Sequence, residues 1–69
     1  MLRNIRLSRG LTEEEAAREL GVIKSTYHRW ETGVNGCRPR HVPAIAAWSG
    51  LPVEYVVEHY TRAGKRRAV

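Results

Sequence analysis

Four polar side chains between positions 24 and 29 are the residues of this sequence best suited to chemistry. Lys24, Ser25, His28 and Arg29 can all donate hydrogen bonds, and their spacing brings them to one side of an α-helix. An Arg side chain can hold a phosphate or a guanine edge with two parallel hydrogen bonds, whereas Lys supplies a point charge. The set therefore predicts non-covalent binding of a polyanion.

The sequence supports two other kinds of chemistry, catalysis and metal binding, less strongly. Ser25 and His28 lie three residues apart, but no acidic residue or oxyanion loop accompanies them to build a catalytic site. Cys37 and His41 have a spacing seen in metal sites, yet one Cys and three His would not complete a tetrahedral zinc site without unusual ligands. We therefore expect no enzyme, no metal and no other cofactor.

Composition points to one small basic domain. The 69 residues carry 12 Lys and Arg against 7 Glu, a net charge of +5, and the pI is about 10.2. A chain of this length buries only ~60% of its unfolded surface, so a deep substrate cleft is not expected. A basic surface attracts nucleic acid or acidic lipid. Most of the cations are Arg, as either phosphate binding or the codon bias of a GC-rich genome would produce.

Cysteine usage and hydropathy suggest a cytoplasmic protein. Cys37 is the only cysteine, so no intrachain disulfide can form. Residues 1–10 lack the apolar run of a secretory signal. The longest weakly polar stretch, 42–57, is interrupted by Pro43 and Pro52, while a membrane span needs about 20 apolar residues. We expect a protein of the bacterial cytoplasm, associated with the nucleoid and not with a membrane.

The elements that position these side chains are predicted to be helices alone. We expect an all-α, compact five-helix fold with helices near 2–9, 12–20, 24–32, 40–49 and 53–61. Thr12 and Glu15 form a capping-box pattern at the start of the second helix, and glycines follow four of the predicted helix ends. Pro43 fits only a first turn, and Pro52 suits a first helical position. Residues 1–61 should form the domain and 62–69 a flexible basic tail.

The segment from Leu11 to Gly33, LTEEEAARELGVIKSTYHRWETG, resembles the phage Cro and lambda-repressor-like (XRE-type) helix-turn-helix family. The resemblance extends over about residues 2–57. It implies a five-helix domain whose third helix, 24–32, enters the DNA major groove, with Lys24, Ser25, His28 and Arg29 reading bases. Arg29 is the first candidate because it can grip guanine O6 and N7 together. The chain has no Gln, a common reader of adenine, so we expect guanine contacts to dominate.

The resemblance also implies phosphate contacts beside this helix. The candidates are hydroxyl, amide and cationic side chains at Thr12, Thr26, Thr32, Asn35 and Arg38. Three residues depart from the family pattern. Glu13 stands where a phosphate-holding Gln is common, Ile23 replaces a Ser or Thr cap, and Tyr27 replaces a small aliphatic residue. We expect Glu13 to repel a phosphate and Ile23 to cost ~1 kcal/mol of capping.

Three further features concern support and assembly. Arg6 and Glu31 match family positions that form a buried ion pair, although both could be surface charges. Trp30 and Trp48 are more typical of core anchors than of stacking platforms. A homodimer could use the fifth helix, with its seam at Tyr55, Val56 and Tyr60, unless these residues belong to the core.

These features together predict a sequence-specific regulator that binds double-stranded DNA, in particular a phage or prophage Cro-like repressor. We expect an inverted-repeat operator bound by a homodimer, with no small-molecule ligand. An antitoxin or another protein-interaction module is the alternative. Binding to a membrane surface through the tail is a third reading, which the short adjacent apolar face disfavours.

Overall fold

Five α-helices make up the fold in a computed structural model that describes residues 1–34 and 36–61. They are α1 (Leu2–Ser8), α2 (Glu13–Leu20), α3 (Lys24–Thr32), α4 (Val42–Ser49) and α5 (Val53–Tyr60). The predicted all-α class is confirmed, and the ends of α3 lie where the sequence placed them. The predicted tail, 62–69, lies outside the described residues.

The start of α2 follows from its first four residues. The hydroxyl of Thr12 accepts a hydrogen bond from the Glu15 amide, and the Glu15 carboxylate accepts one from the Thr12 amide at 2.8 Å. Three glutamates fill the first turn, where the helix dipole favours negative charge. Gly21 ends the helix at φ +75°, a conformation that glycine adopts without steric cost. The predicted capping box is confirmed.

The start of α3 lacks such a cap. Ile23 occupies the N-cap position with the extended backbone of a capping residue, φ −79° and ψ 158°, but offers no side-chain acceptor. Its side chain is 69% exposed. The first amides of α3 therefore receive no hydrogen bond from the side chain of the N-cap residue.

The fourth helix begins slightly later than predicted, whereas the fifth begins at residue 53 as predicted. A 3₁₀ turn at Pro39–His41 precedes α4, so the α-helix starts at Val42 rather than at residue 40. Pro43 falls in the first turn, where its missing N–H removes no helical hydrogen bond. Pro52 is the N-cap of α5 rather than its first residue, because its ψ of 146° is extended.

The core is formed where the helices meet. Ala16 and Ala17 are fully buried and let α2 approach its neighbours closely. Larger side chains fill the space between the helices: Leu2, Leu20, Tyr27, Trp30, Val42, Ile45 and Val56. Trp48 is half-buried against this core. The inner face of α3 is thereby fixed to the rest of the domain.

The loop after α3 is attached to the end of α5. The Cys37 amide donates to the Tyr60 carbonyl at 2.6 Å, and Cys37 forms an isolated parallel β-bridge with Thr61. Cys37 is buried, and burial raises the pKa of its thiol. None of the α-helices in residues 1–34 and 36–61 combines the length and hydrophobicity that a bilayer-spanning segment requires.

Candidate nucleic-acid interface

The outer side of α3 is the exposed polar surface of the helix-turn-helix. Lys24, Ser25, His28 and Arg29 are all solvent-exposed, and the structure brings them together on this one helix. On the opposite side Tyr27 and Trp30 are 0% and 4% exposed. The helix is therefore anchored by two large rings and presents its hydrogen-bonding groups to solvent. The major groove is wide enough to admit one α-helix.

Arg6 and Glu31 form a buried ion pair behind α3. Arg6 Nε lies 2.9 Å from Glu31 Oε2, a second hydrogen bond joins Nη2 to Oε1 at 3.2 Å, and Nη1 donates to the Leu11 carbonyl at 2.9 Å. The hydrogen bond to Glu31 raises the pKa of Arg6 against the opposing effect of burial. Burial pushes the pKa of Glu31 upward, but the hydrogen bonds and charge of its neighbours hold it below its ordinary value. The pair thus joins α1, the turn before α2 and α3.

Tyr27 places a hydroxyl in this same interior. The hydroxyl oxygen is buried and has no hydrogen bond of normal geometry within the described residues, although Glu31 and Arg6 lie nearby. Burial raises the pKa of Tyr27. The ring packs edge-on against Trp48, whose indole N–H donates to Glu19 at 2.8 Å. The unusual Tyr at this position is therefore accommodated by aromatic packing between α3 and α4.

Glu13 makes a contact that the sequence did not predict. Its Oε1 atom lies 2.7 Å from Nδ1 of His28, across the two helices of the helix-turn-helix. Sequence reasoning treated Glu13 only as a charge that repels phosphate. The available signal was a carboxylate at the start of one helix and an imidazole on the outer side of the next.

The predicted phosphate-binding residues have different surroundings. Thr12 is exposed and uses its oxygen, but not its proton, in the cap of α2. Thr26 is half-buried and lines a cleft together with Arg29 and Arg38. Thr32 donates its only proton to the His28 carbonyl at 3.0 Å, so that proton is already engaged. Asn35 lies outside the described residues.

The cleft beside α3 has a basic rim. Its volume is about 1070 Å³, and it runs between α3, the loop 36–38 and the start of α4. Its basic lining residues are Arg29, Arg38, Arg40 and His41. The His41 ring lies against Trp30, with centroids 5.2 Å apart. Sequence reasoning missed Arg40 and His41, since only the 3₁₀ turn brings them next to α3.

The proposed dimer seam on α5 needs a correction. Val56 is 0% exposed because it packs into the domain's own core, so it cannot contact a second chain in this fold. Tyr60 is half-buried, and its hydroxyl accepts a hydrogen bond from the Leu2 amide at 3.2 Å. Tyr55 is half-exposed and stacks on His59, with centroids 4.1 Å apart. Helix periodicity did not distinguish the inner from the outer side here, since both carry apolar residues.

Metal-ligand side chains are scattered over the fold. No group of three or more His, Cys, Asp or Glu residues is close enough to hold an ion in the part of the chain that the structure describes. Cys37 is buried against the core and lines the same cleft as His41, which packs on Trp30. These two residues belong to no group of three such ligands within the described residues.

Comparison with known proteins gives a consistent result. A family model described as a helix-turn-helix domain matches residues 1–58. The chain is 34% identical over 56 residues to a curated relative, the cryptic phage CTXphi transcriptional repressor RstR of Vibrio cholerae. The match covers 81% of this chain and 50% of the relative, so this chain spans about half of the relative's length. No solved structure matches the chain significantly.

Proposed function

This chain belongs to the helix-turn-helix domain family, in the lambda-repressor-like (XRE-type) group, and we propose that it is a sequence-specific DNA-binding transcription regulator of the phage-repressor type. The observation that carries the proposal is the outer side of α3. It exposes four polar side chains while its inner side is fixed by Tyr27, Trp30 and the Arg6–Glu31 pair. A rigid helix with exposed donors is what reading of base edges requires.

The residues have separate roles in this proposal. Arg29 binds guanine through O6 and N7, and Lys24 and Ser25 contact neighbouring bases at the N-terminal end of α3. Arg38 and Thr26 border the cleft beside α3 and bind phosphates with the exposed hydroxyl of Thr12. Thr32 is a weaker phosphate-binding candidate, because its hydroxyl proton is already donated to a backbone carbonyl of α3. Asn35 remains a phosphate-binding candidate only because the family resemblance implies a contact at its position.

We further propose how the regulator acts. Two copies bind an inverted repeat with half-sites about one helical turn apart, which is the usual geometry of helix-turn-helix dimers. The Cro-like role is repression of transcription at an operator in the bacterial cytoplasm, without catalysis and without a small-molecule ligand. The relative's description as a transcriptional repressor supports the repressor role.

Selection from random double-stranded DNA tests the proposal. The full chain should enrich one short inverted repeat, and a footprint should cover it. A double variant, Lys24→Ala with Arg29→Ala, should lose the enrichment, whereas Arg18→Ala, which removes an exposed charge on α2, should keep it. Failure to enrich any sequence, with stable capture of a protein partner instead, would replace the proposal with the protein-interaction alternative.

A further inference from the structure

The contact between Glu13 and His28 lies on the surface proposed to face DNA. Glu13 is the first residue of α2, and His28 is in the second turn of α3. A hydrogen bond joins them, with Nδ1 of His28 2.7 Å from Oε1 of Glu13. The His28 side chain is still 55% exposed, while the Glu13 side chain is 24% exposed. Glu13 thus orients the His28 ring, and part of that ring remains exposed to solvent.

The carboxylate determines which ring nitrogen carries the proton. An ionised Glu can only accept hydrogen bonds, so the proton in this contact belongs to Nδ1 of His28. In the neutral ring the other nitrogen, Nε2, then holds a lone pair and acts as an acceptor. Nε2 lies on the far side of the ring from Nδ1 and is therefore directed away from Glu13. The pair presents an oriented acceptor at the outer side of α3.

We propose that Glu13 is a positioning residue that makes His28 a reader of exocyclic amino groups in the major groove. This inference rests on the proposed function. Only adenine N6 and cytosine N4 offer hydrogen-bond donors on the major-groove edges, while guanine and thymine offer acceptors and a methyl group. An acceptor at Nε2 therefore selects adenine or cytosine. Lys24 and Arg29, the two cationic base readers, can only donate, so His28 adds an acceptor beside them.

Affinities for a panel of duplexes test the inference. The site enriched by the full chain is varied one base pair at a time, and binding is measured at about pH 8.5, above the range of roughly pH 5 to 8 in which histidine titrates. Wild type should favour adenine or cytosine over guanine and thymine at one position of one strand by about tenfold. His28→Ala should abolish the preference at that pair, and whether the pair is A·T or G·C identifies adenine or cytosine as the source of the amino group.

Three substitutions separate positioning from charge. Glu13→Ala should remove the same preference, because the carboxylate that accepts from Nδ1 of His28 is lost. The same change should strengthen binding to all sequences, since it removes a negative charge near the phosphates. Glu13→Gln removes the charge but keeps an oxygen that accepts from Nδ1, so it should rescue the preference. Glu14→Ala removes an exposed charge from the same turn and should strengthen binding without changing base preference.

The outcomes distinguish this inference from the proposed function. If wild type selects no DNA site, the proposed function fails and the inference with it. If wild type selects a site but Glu13→Ala keeps the full preference, or no base pair responds to His28→Ala, the inference alone is overturned. Thermal unfolding followed by circular dichroism checks that each variant is folded, and the Thr12–Glu15 capping box is untouched by all four changes.

Discussion

At the scale of single residues, Arg6 does more for the fold than its partner Glu31. Its guanidinium makes two hydrogen bonds to Glu31 and a third to the Leu11 carbonyl, so it satisfies a carboxylate and a backbone acceptor together. Glu31 has other polar groups nearby, including the Tyr27 hydroxyl. The two residues should therefore respond differently to substitution.

We expect Arg6→Met to lower the free energy of unfolding by about 3–5 kcal/mol, because it leaves a buried carboxylate and a carbonyl without their donor. Glu31→Gln should cost less, about 1–2 kcal/mol, since its amide oxygen still accepts from Arg6. Urea unfolding of both variants measures the difference. Arg3→Met, on the exposed side of α1, is the control and should change stability by less than about 0.5 kcal/mol. Equal losses in Arg6→Met and Glu31→Gln would contradict this division of roles.

The depressed pKa of Glu31 also predicts how stability depends on pH. A carboxyl group whose pKa is lower in the folded than in the unfolded state stabilises the fold above its unfolded value of about 4.5. That contribution is lost as the pH falls through the lower, folded value. We therefore expect the melting temperature to drop below about pH 4.5, and to drop less steeply in Glu31→Gln. If the melting temperature of Glu31→Gln fell with pH as steeply as that of wild type, groups other than Glu31 would cause the loss of stability.

At the scale of elements, the two helices of the helix-turn-helix start differently, and the sequence showed why. Thr12 and Glu15 form the predicted capping box, whereas Ile23 has the backbone of a cap without its oxygen. Such local patterns were readable because each depends on residues within one helical turn. The 3₁₀ turn at Pro39–His41 was missed because its basic residues look like the start of α4 in sequence. The burial of Val56 and the contact of Glu13 with His28 depend on packing between helices, so residue spacing within one helix did not predict them.

We expect Ile23→Ser to stabilise the domain by about 0.5–1 kcal/mol, since a serine oxygen can accept from the first amides of α3. Removing the exposed isoleucine should cost little packing, because 69% of that residue is in solvent. Conversely, Thr12→Ala should destabilise by about 1 kcal/mol. Melting temperatures should move by several degrees in opposite directions. A loss of stability in Ile23→Ser would mean that the side chain makes contacts important to folding.

At the scale of the whole molecule, the positions of the charged side chains on the fold bear on DNA binding more than the net charge of +5 does. Arg29, Arg38 and Arg40 gather at the cleft beside α3, whereas Glu13, Glu14 and Glu15 form the first turn of α2. Composition alone predicted binding to any polyanion. The arrangement around α3 supports duplex DNA, since the cations border a helix with exposed donors.

We expect binding to weaken steeply with salt, because each phosphate contact releases counterions. Arg38→Ala should weaken binding to all sequences alike and reduce the slope of log affinity against log salt by about 1. Fluorescence anisotropy over a salt series measures this slope. Arg18→Ala on α2 should leave it unchanged. An unaltered slope in Arg38→Ala would remove that residue from the phosphate-binding set.

The central claim is that α3 reads base edges, and Arg29→Lys tests it most directly. This substitution keeps the positive charge but replaces a two-pronged donor with a single ammonium group. The measurement is the affinity of wild type and Arg29→Lys for a panel of duplexes in which each base pair of the selected site is changed in turn. We predict that discrimination falls by roughly tenfold or more at one G·C pair and stays the same at the others, with an unchanged salt slope. An identical discrimination profile in the two proteins would contradict guanine reading by Arg29.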